Sequence, residues 1–132
     1  SNIASTAKQF TALIVLDLSL KEKLDLDDDI RKYLPNLYKS VVDKIRIRHL
    51  INHSSGIHEY VNLISQEGKV WWKHVGLDNR YIIKLLEKQN DLQFKPGTKY
   101  SYSNSNYNVL ARIIEEVTQE NFTDYSKRFL RT

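Results

Sequence analysis

Ser5 and Lys8 stand three residues apart in Ser5-Thr6-Ala7-Lys8, at the start of an apolar run that reaches Leu20. A serine hydroxyl is a poor nucleophile at neutral pH and needs a base within hydrogen-bond reach. On a helix, the i, i+3 spacing sets both side chains on one face, about one turn apart. A serine near a helix N-terminus also meets the positive end of the macrodipole and free N–H groups, which favour developing negative charge. The same field, with partial burial, lowers a lysine pKa toward the range where the neutral amine accepts a proton. The pair is a candidate nucleophile and base. By spacing alone, an N-cap serine with a surface lysine is the commoner reading of Ser-x-x-Lys.

Further along, Tyr102-Ser103-Asn104 lies inside Lys99-Tyr-Ser-Tyr-Ser-Asn-Ser-Asn-Tyr107. On its own this is a turn with a tyrosine that could pack on the core. Its context is broader. Ile3-Ala-Ser-Thr-Ala-Lys-Gln-Phe-Thr-Ala-Leu13 resembles the nucleophile helix of the serine β-lactamase and D-alanyl-D-alanine carboxypeptidase family, of the class C β-lactamase type. The likeness continues through Lys23-Leu-Asp-Leu-Asp-Asp-Asp-Ile-Arg-Lys-Tyr-Leu-Pro35 and is sharpest at Ile47-Arg-His-Leu-Ile-Asn-His-Ser-Ser-Gly-Ile57. It closes with Phe94-Lys-Pro-Gly-Thr-Lys-Tyr-Ser-Tyr-Ser-Asn104. These blocks occur in family order and cover nearly all of the chain.

The resemblance implies roles. Ser5 is the acylated nucleophile and Lys8 its proton acceptor or relay. Tyr102 is the tyrosine of the second motif, a proton shuttle, and Asn104 donates to the substrate carbonyl and holds Lys8. A phenol of pKa near 10 can shuttle protons only beside cations that depress it, so Lys8 should lie close to Tyr102. The implied activity is acyl-enzyme formation on a β-lactam, a D-Ala-D-Ala peptide or a small ester, with no cofactor and no metal. The alternative is a non-catalytic helical binding module of the same fold.

A third motif, Lys-Thr/Ser-Gly or His-x-Gly, should follow the tyrosine, yet the last of the four glycines is Gly97. The antiparallel sheet that carries it, and the strands before the nucleophile helix, are expected to lie outside this sequence. That sheet also supplies one oxyanion-hole N–H, and losing one such donor typically costs ~10²–10³ in rate. The 132 residues are therefore expected to form a single helical segment of the α+β fold, carrying both motifs and turning over little by itself.

His49 and His53, at i and i+4, invite a metal reading. No Glu stands beside His49, and in the resembling family this segment is structural, tying a helix end to a loop. His58 and His74 show no partner pattern and read as surface residues. Trp71 and Trp72 suit the helical core or the edge of a cleft.

Composition narrows the classes. Hydrophobic residues at 41% and charged residues at 27% suit a globular domain. The net charge of +4 comes from scattered Lys and Arg with no like-charge block, so a solvated surface is favoured over a nucleic-acid face. There are no cysteines, which excludes disulfides and thiolate metal sites. Residues 9–20 are too short to span a bilayer, and no signal opens the chain. The family resemblance implies a parent that is periplasmic, extracellular or membrane-anchored.

The elements that must position these residues are helices. The first is expected from about Ser5 to Leu20 and is apolar nearly all round, as in a helix covered on several sides. Asp27 can cap a short helix carrying Ile30, Tyr33 and Leu34 that stops at Pro35. Further helices are expected over 45–52, from Asp78 to about Gln89, from about Ser105 to Val117, and from about Thr123 to Leu130. Lys95–Thr98 reads as a turn, and only Lys99–Ser103 alternates like a strand. The apolar first helix has few elements to cover it, so self-association or pairing with the absent sheet is expected.

Overall fold

The computed structural model describes residues 2–66 and 78–131, with the side chains of the first helix described from Phe10 onward. His74, Trp71 and Trp72 lie outside the described residues. Six α-helices are described: α1 (Asn2–Leu20), α2 (Ile47–Ile51), α3 (Tyr60–Gln66), α4 (Asn79–Glu87), α5 (Asn104–Thr118) and α6 (Phe122–Leu130). A single 3₁₀ turn covers Ile30–Lys32. Among the described residues there is no strand, only an isolated antiparallel bridge between Asp29 and Arg46. The segment is mainly α, as its sequence implies.

The centre of the fold is α5. Val109, Leu110, Ile113 and Ile114 recur along one side of it and are fully buried, and it packs against α1, α2, α4 and α6. Ser103 caps it, its side chain accepting from Ser105 N, and Gln119 ends it in the left-handed conformation at φ 59°. Ile82, Ile83, Leu85 and Leu86 make the buried side of α4, whose N-cap is Asp78.

The first helix is covered on one side, not several. Thr11, Ile14, Val15 and Leu18 are buried, at the i, i+3, i+4, i+7 spacing of a single helix face. Leu13, Leu16 and Leu20 lie on another face and are 51%, 40% and 84% exposed. The described elements are too few to surround a helix with this many apolar residues.

Two further expectations need correction. The cap after Leu26 is Asp29, which accepts from Arg31 N and opens one 3₁₀ turn rather than an α-helix. Asp27 pairs with Arg48 at 2.5 Å instead, while Asp28 accepts from the Tyr33 hydroxyl at 2.6 Å. Asp27 is thereby drawn away to Arg48, and Pro35 bars a longer helix. Among the described residues Lys99–Ser103 pairs with no strand; Ser101 N donates to His53 O at 2.8 Å and Ser103 N to His53 Nδ1 at 3.3 Å. The periodicity before α4 also concealed α3, a helix of seven residues with only Leu63 and Ile64 buried.

Arg31 organises the loop that follows. It pairs with Asp29 and donates to the carbonyls of Tyr38, Val41 and Asp43, at 2.6, 3.2 and 2.7 Å. These bonds hold the turn that puts Tyr38 at φ 46° with its ring fully buried.

Candidate active site

Ser5 and Lys8 fall in the first two turns of α1, which starts at Asn2. Their side chains lie outside the described residues.

Tyr102 sits two residues before α5, whose N-cap is Ser103. Its ring is 52% exposed and does not belong to the core. One face of that ring stacks on the His53 imidazole, with centroids 4.5 Å apart and planes at 28°. Its hydroxyl donates to Asn104 Oδ1 at 3.4 Å, and the Tyr107 ring lies beside that of Tyr102 with centroids 6.0 Å apart. Asn104 is the first residue of α5.

What holds this motif is the segment His53–Tyr60. Its backbone carbonyls accept along one side: His53 from Ser101 N, Ser54 from Gly97 N and Gly56 from Gln93 N, all at 2.8 Å. On the other side it is stitched to the first turn of α5. Ser55 Oγ donates to Asn106 Oδ1 at 2.7 Å, and Tyr60 N donates to Ser105 Oγ at 2.9 Å. The Glu59 carboxylate accepts from Asn104 N at 2.7 Å and from Ser103 Oγ at 3.3 Å. It thus places negative charge at the positive end of α5.

Gly56 is required in this segment. Its φ is +82°, and a Cβ there would stand 2.3 Å from the carbonyl oxygen of Phe94. The backbone of 53–56 runs that close to the loop leading into the second motif.

The two histidines at i, i+4 do not share a site. α2 ends at Ile51, and His53 follows at φ 58°, which turns its ring away from the helix. His49 Nδ1 accepts from Arg46 N at 3.0 Å, closing the start of α2. His53 is buried and reaches Asn106, Ser103 and Tyr107. Burial holds its pKa below the usual imidazole value. His58 is no free surface residue: it is half-buried, stacked on Tyr38 with centroids 5.9 Å apart, and its Nδ1 is 2.9 Å from the Tyr38 hydroxyl. Among the described residues no group of three or more His, Asp or Glu is arranged to hold a metal ion.

Glu59, Asn106 and Tyr107 were missed as parts of this site by sequence reasoning. The available signal was their placement, Glu59 three residues after Gly56, and Asn106 and Tyr107 on the first turn of the helix behind Tyr102. Only the docking of two segments about fifty residues apart in sequence gives them partners, as with Ser55 and Asn106 at a separation of 51.

The Beta-lactamase family model matches residues 1–130, and the chain belongs to that family of serine hydrolases. Protein flp of Staphylococcus aureus is 34% identical over 126 residues, which are 93% of this chain and 24% of that protein. Penicillin-binding protein 4* of Bacillus subtilis is 33% identical over 127 residues, 95% of this chain and 27% of its own length. The chain spans about a quarter of the length of these relatives. Among solved structures, the penicillin binding protein from Bacillus halodurans superposes with a TM-score of 0.76 at 25% identity, over 92% of this chain and 36% of that one. A D-stereospecific amidohydrolase from Streptomyces superposes at 0.72 with 28% identity, over 88% and 36%. Among the described residues no helix is long and apolar enough to cross a membrane.

Proposed function

We propose that the protein is a serine hydrolase working through an acyl-enzyme on Ser5. In this reading Ser5 Oγ attacks a carbonyl carbon and its proton passes to the Lys8 amine. Tyr102 relays that proton to the leaving nitrogen or oxygen, and water later hydrolyses the ester. Asn104 donates to the substrate carbonyl and holds Lys8. Substrates of the right chemistry are β-lactams, peptides ending in D-amino acids and small esters. This range is in keeping with relatives named for penicillin binding and a neighbour named for D-stereospecific amide hydrolysis. In this reading the protein is periplasmic, extracellular or membrane-anchored, in keeping with relatives named for penicillin binding. The 132 residues act as one helical segment carrying both motifs, and full turnover needs the rest of the catalytic cleft.

The observation that carries the reading is Tyr102. A tyrosine serving only to pack would be buried, whereas this one is half-exposed, with its phenol donating to Asn104 at the start of α5. Labelling the full-length protein with a fluorescent penicillin and with a fluorophosphonate tests it. Covalent label is expected on the wild type, none on Ser5→Ala, and a severe slowing on Lys8→Ala, since an unassisted serine is unreactive. Tyr102→Phe should lose rate while keeping its fold. Undiminished label on Ser5→Ala refutes the nucleophile, and no label on the wild type favours a non-catalytic module.

A further inference from the structure

His53 faces two donors through Nδ1. Ser103 N approaches at 3.3 Å and is a backbone N–H, which can only donate. Asn106 Nδ2 approaches at 3.0 Å. The orientation of that amide is set by its other end, because Asn106 Oδ1 accepts the Ser55 hydroxyl. With two donors directed at it, Nδ1 must carry the lone pair, and the single proton of a neutral imidazole must sit on Nε2. Nε2 stands 3.2 Å from the Tyr107 hydroxyl, so it donates there. The Tyr107 ring stands beside that of Tyr102, with centroids 6.0 Å apart. The Tyr102 proton points to Asn104 Oδ1.

The chain of donors thus runs one way, from buried Ser55 and Asn106 through His53 to the Tyr107 hydroxyl. The His53 ring also stacks on Tyr102, as no aliphatic side chain could. Around it stand the rings of Tyr100, Tyr102 and Tyr107. Among the described residues no charged side chain enters its hydrogen-bond or ring contacts.

We propose that His53, held as the neutral Nε2–H tautomer, is the positioning residue that sets the rotamer of Tyr102, acting through its ring face and through the Tyr107 ring that it holds beside it. This rests on the role of Tyr102 in the serine hydrolase reading. Protonation at Nδ1 would oppose an N–H to the N–H groups of Ser103 and Asn106. It would push apart the loop and the helix start that frame the tyrosine.

The test uses the full-length protein with ¹⁵N-labelled histidine. At neutral pH the His53 resonances should show a protonated Nε2 and an unprotonated Nδ1; an Nδ1–H tautomer or an imidazolium overturns the proposal. The informative variant is His53→Asn. Asparagine tolerates the left-handed backbone and can offer Oδ1 where Nδ1 stood, but it has neither the ring nor the Nε2 donor. Phosphonylation of Ser5 by a fluorophosphonate, with loss of fluoride, should slow by about 10- to 10²-fold, the scale of a misplaced catalytic group. The same substitution in a Tyr102→Phe background should add no further loss, because it acts through the phenol. Full label on His53→Asn, or undiminished losses in the double variant, overturns the positioning role while leaving the nucleophile in place. Undiminished label on Ser5→Ala overturns the function and this inference with it. Should His53→Asn not fold, the tautomer measured in the wild type decides.

Discussion

His49, His53 and His58 are three of the four histidines, and burial holds all three below the ordinary imidazole pKa of 6.5. At His49 the charges of Arg46 and Arg48 push the same way. Two of them are engaged as uncharged rings, His49 accepting from Arg46 N and His53 from Ser103 and Asn106. Because the folded pKa lies below the unfolded one, the unfolded chain binds more protons between the two values. The stability these rings contribute is complete above about pH 6.5 and is lost as the pH falls from there through the folded values. The thermal midpoint should therefore fall between pH 7 and pH 5, before most carboxylates are protonated. A midpoint that stayed level or rose over that range would show that the three rings accept protons without cost.

At the scale of elements, the second motif depends on how the start of α5 meets the segment from His53 to Tyr60. Two substitutions separate the parts of that junction. Ser103→Ala removes the N-cap bond to Ser105 N and should cost about 1 kcal/mol, since Glu59 still accepts from Asn104 N. Gly56→Ala should cost more. Its left-handed backbone alone is worth about 1–2 kcal/mol against alanine, and the new Cβ would strike the Phe94 carbonyl, a backbone atom that cannot swing aside. Urea unfolding of both variants gives the order directly. Equal midpoints would mean that the Phe94 loop yields to the added methyl group. The 3₁₀ turn at Ile30–Lys32 makes the same point about elements, because Asp29 both caps it and pairs with Arg31.

For the whole molecule, the consequence lies on α1. One face is buried against α5 and α6, and another leaves Leu13, Leu16 and Leu20 in water. Each large apolar side chain left exposed forgoes ~1.5–3 kcal/mol of burial free energy. Three together approach the ~5–15 kcal/mol total stability of a small domain. The 132-residue chain by itself should therefore associate, and light scattering across a concentration series should show a mass that rises with concentration. Leu16→Glu with Leu20→Lys should reverse the association with little effect on the fold, since neither residue is part of the core. A concentration-independent monomer with a sharp thermal transition would show that this face needs no cover.

The helices and the two motifs were legible in the sequence because they are local. Apolar residues at helical spacing marked α4, α5 and α6, and Asp78 marked its cap. The order of Ser5-x-x-Lys8 and Tyr102-x-Asn104 carried the family, and the match over residues 1–130 shows it. Partners distant in the chain were not legible. Nothing local says that Asp27 pairs with Arg48, that the His58 ring lies against Tyr38, or that His53 leaves the line of its helix at a positive φ. Helical periodicity reports which residues want to be buried, but not which neighbours arrive to bury them. The all-apolar α1 pattern accordingly suggested a central helix, whereas packing made α5 the centre and left one face of α1 bare. The support of Tyr102 was decided in the same way, by a loop and a helix start meeting across some fifty residues of chain.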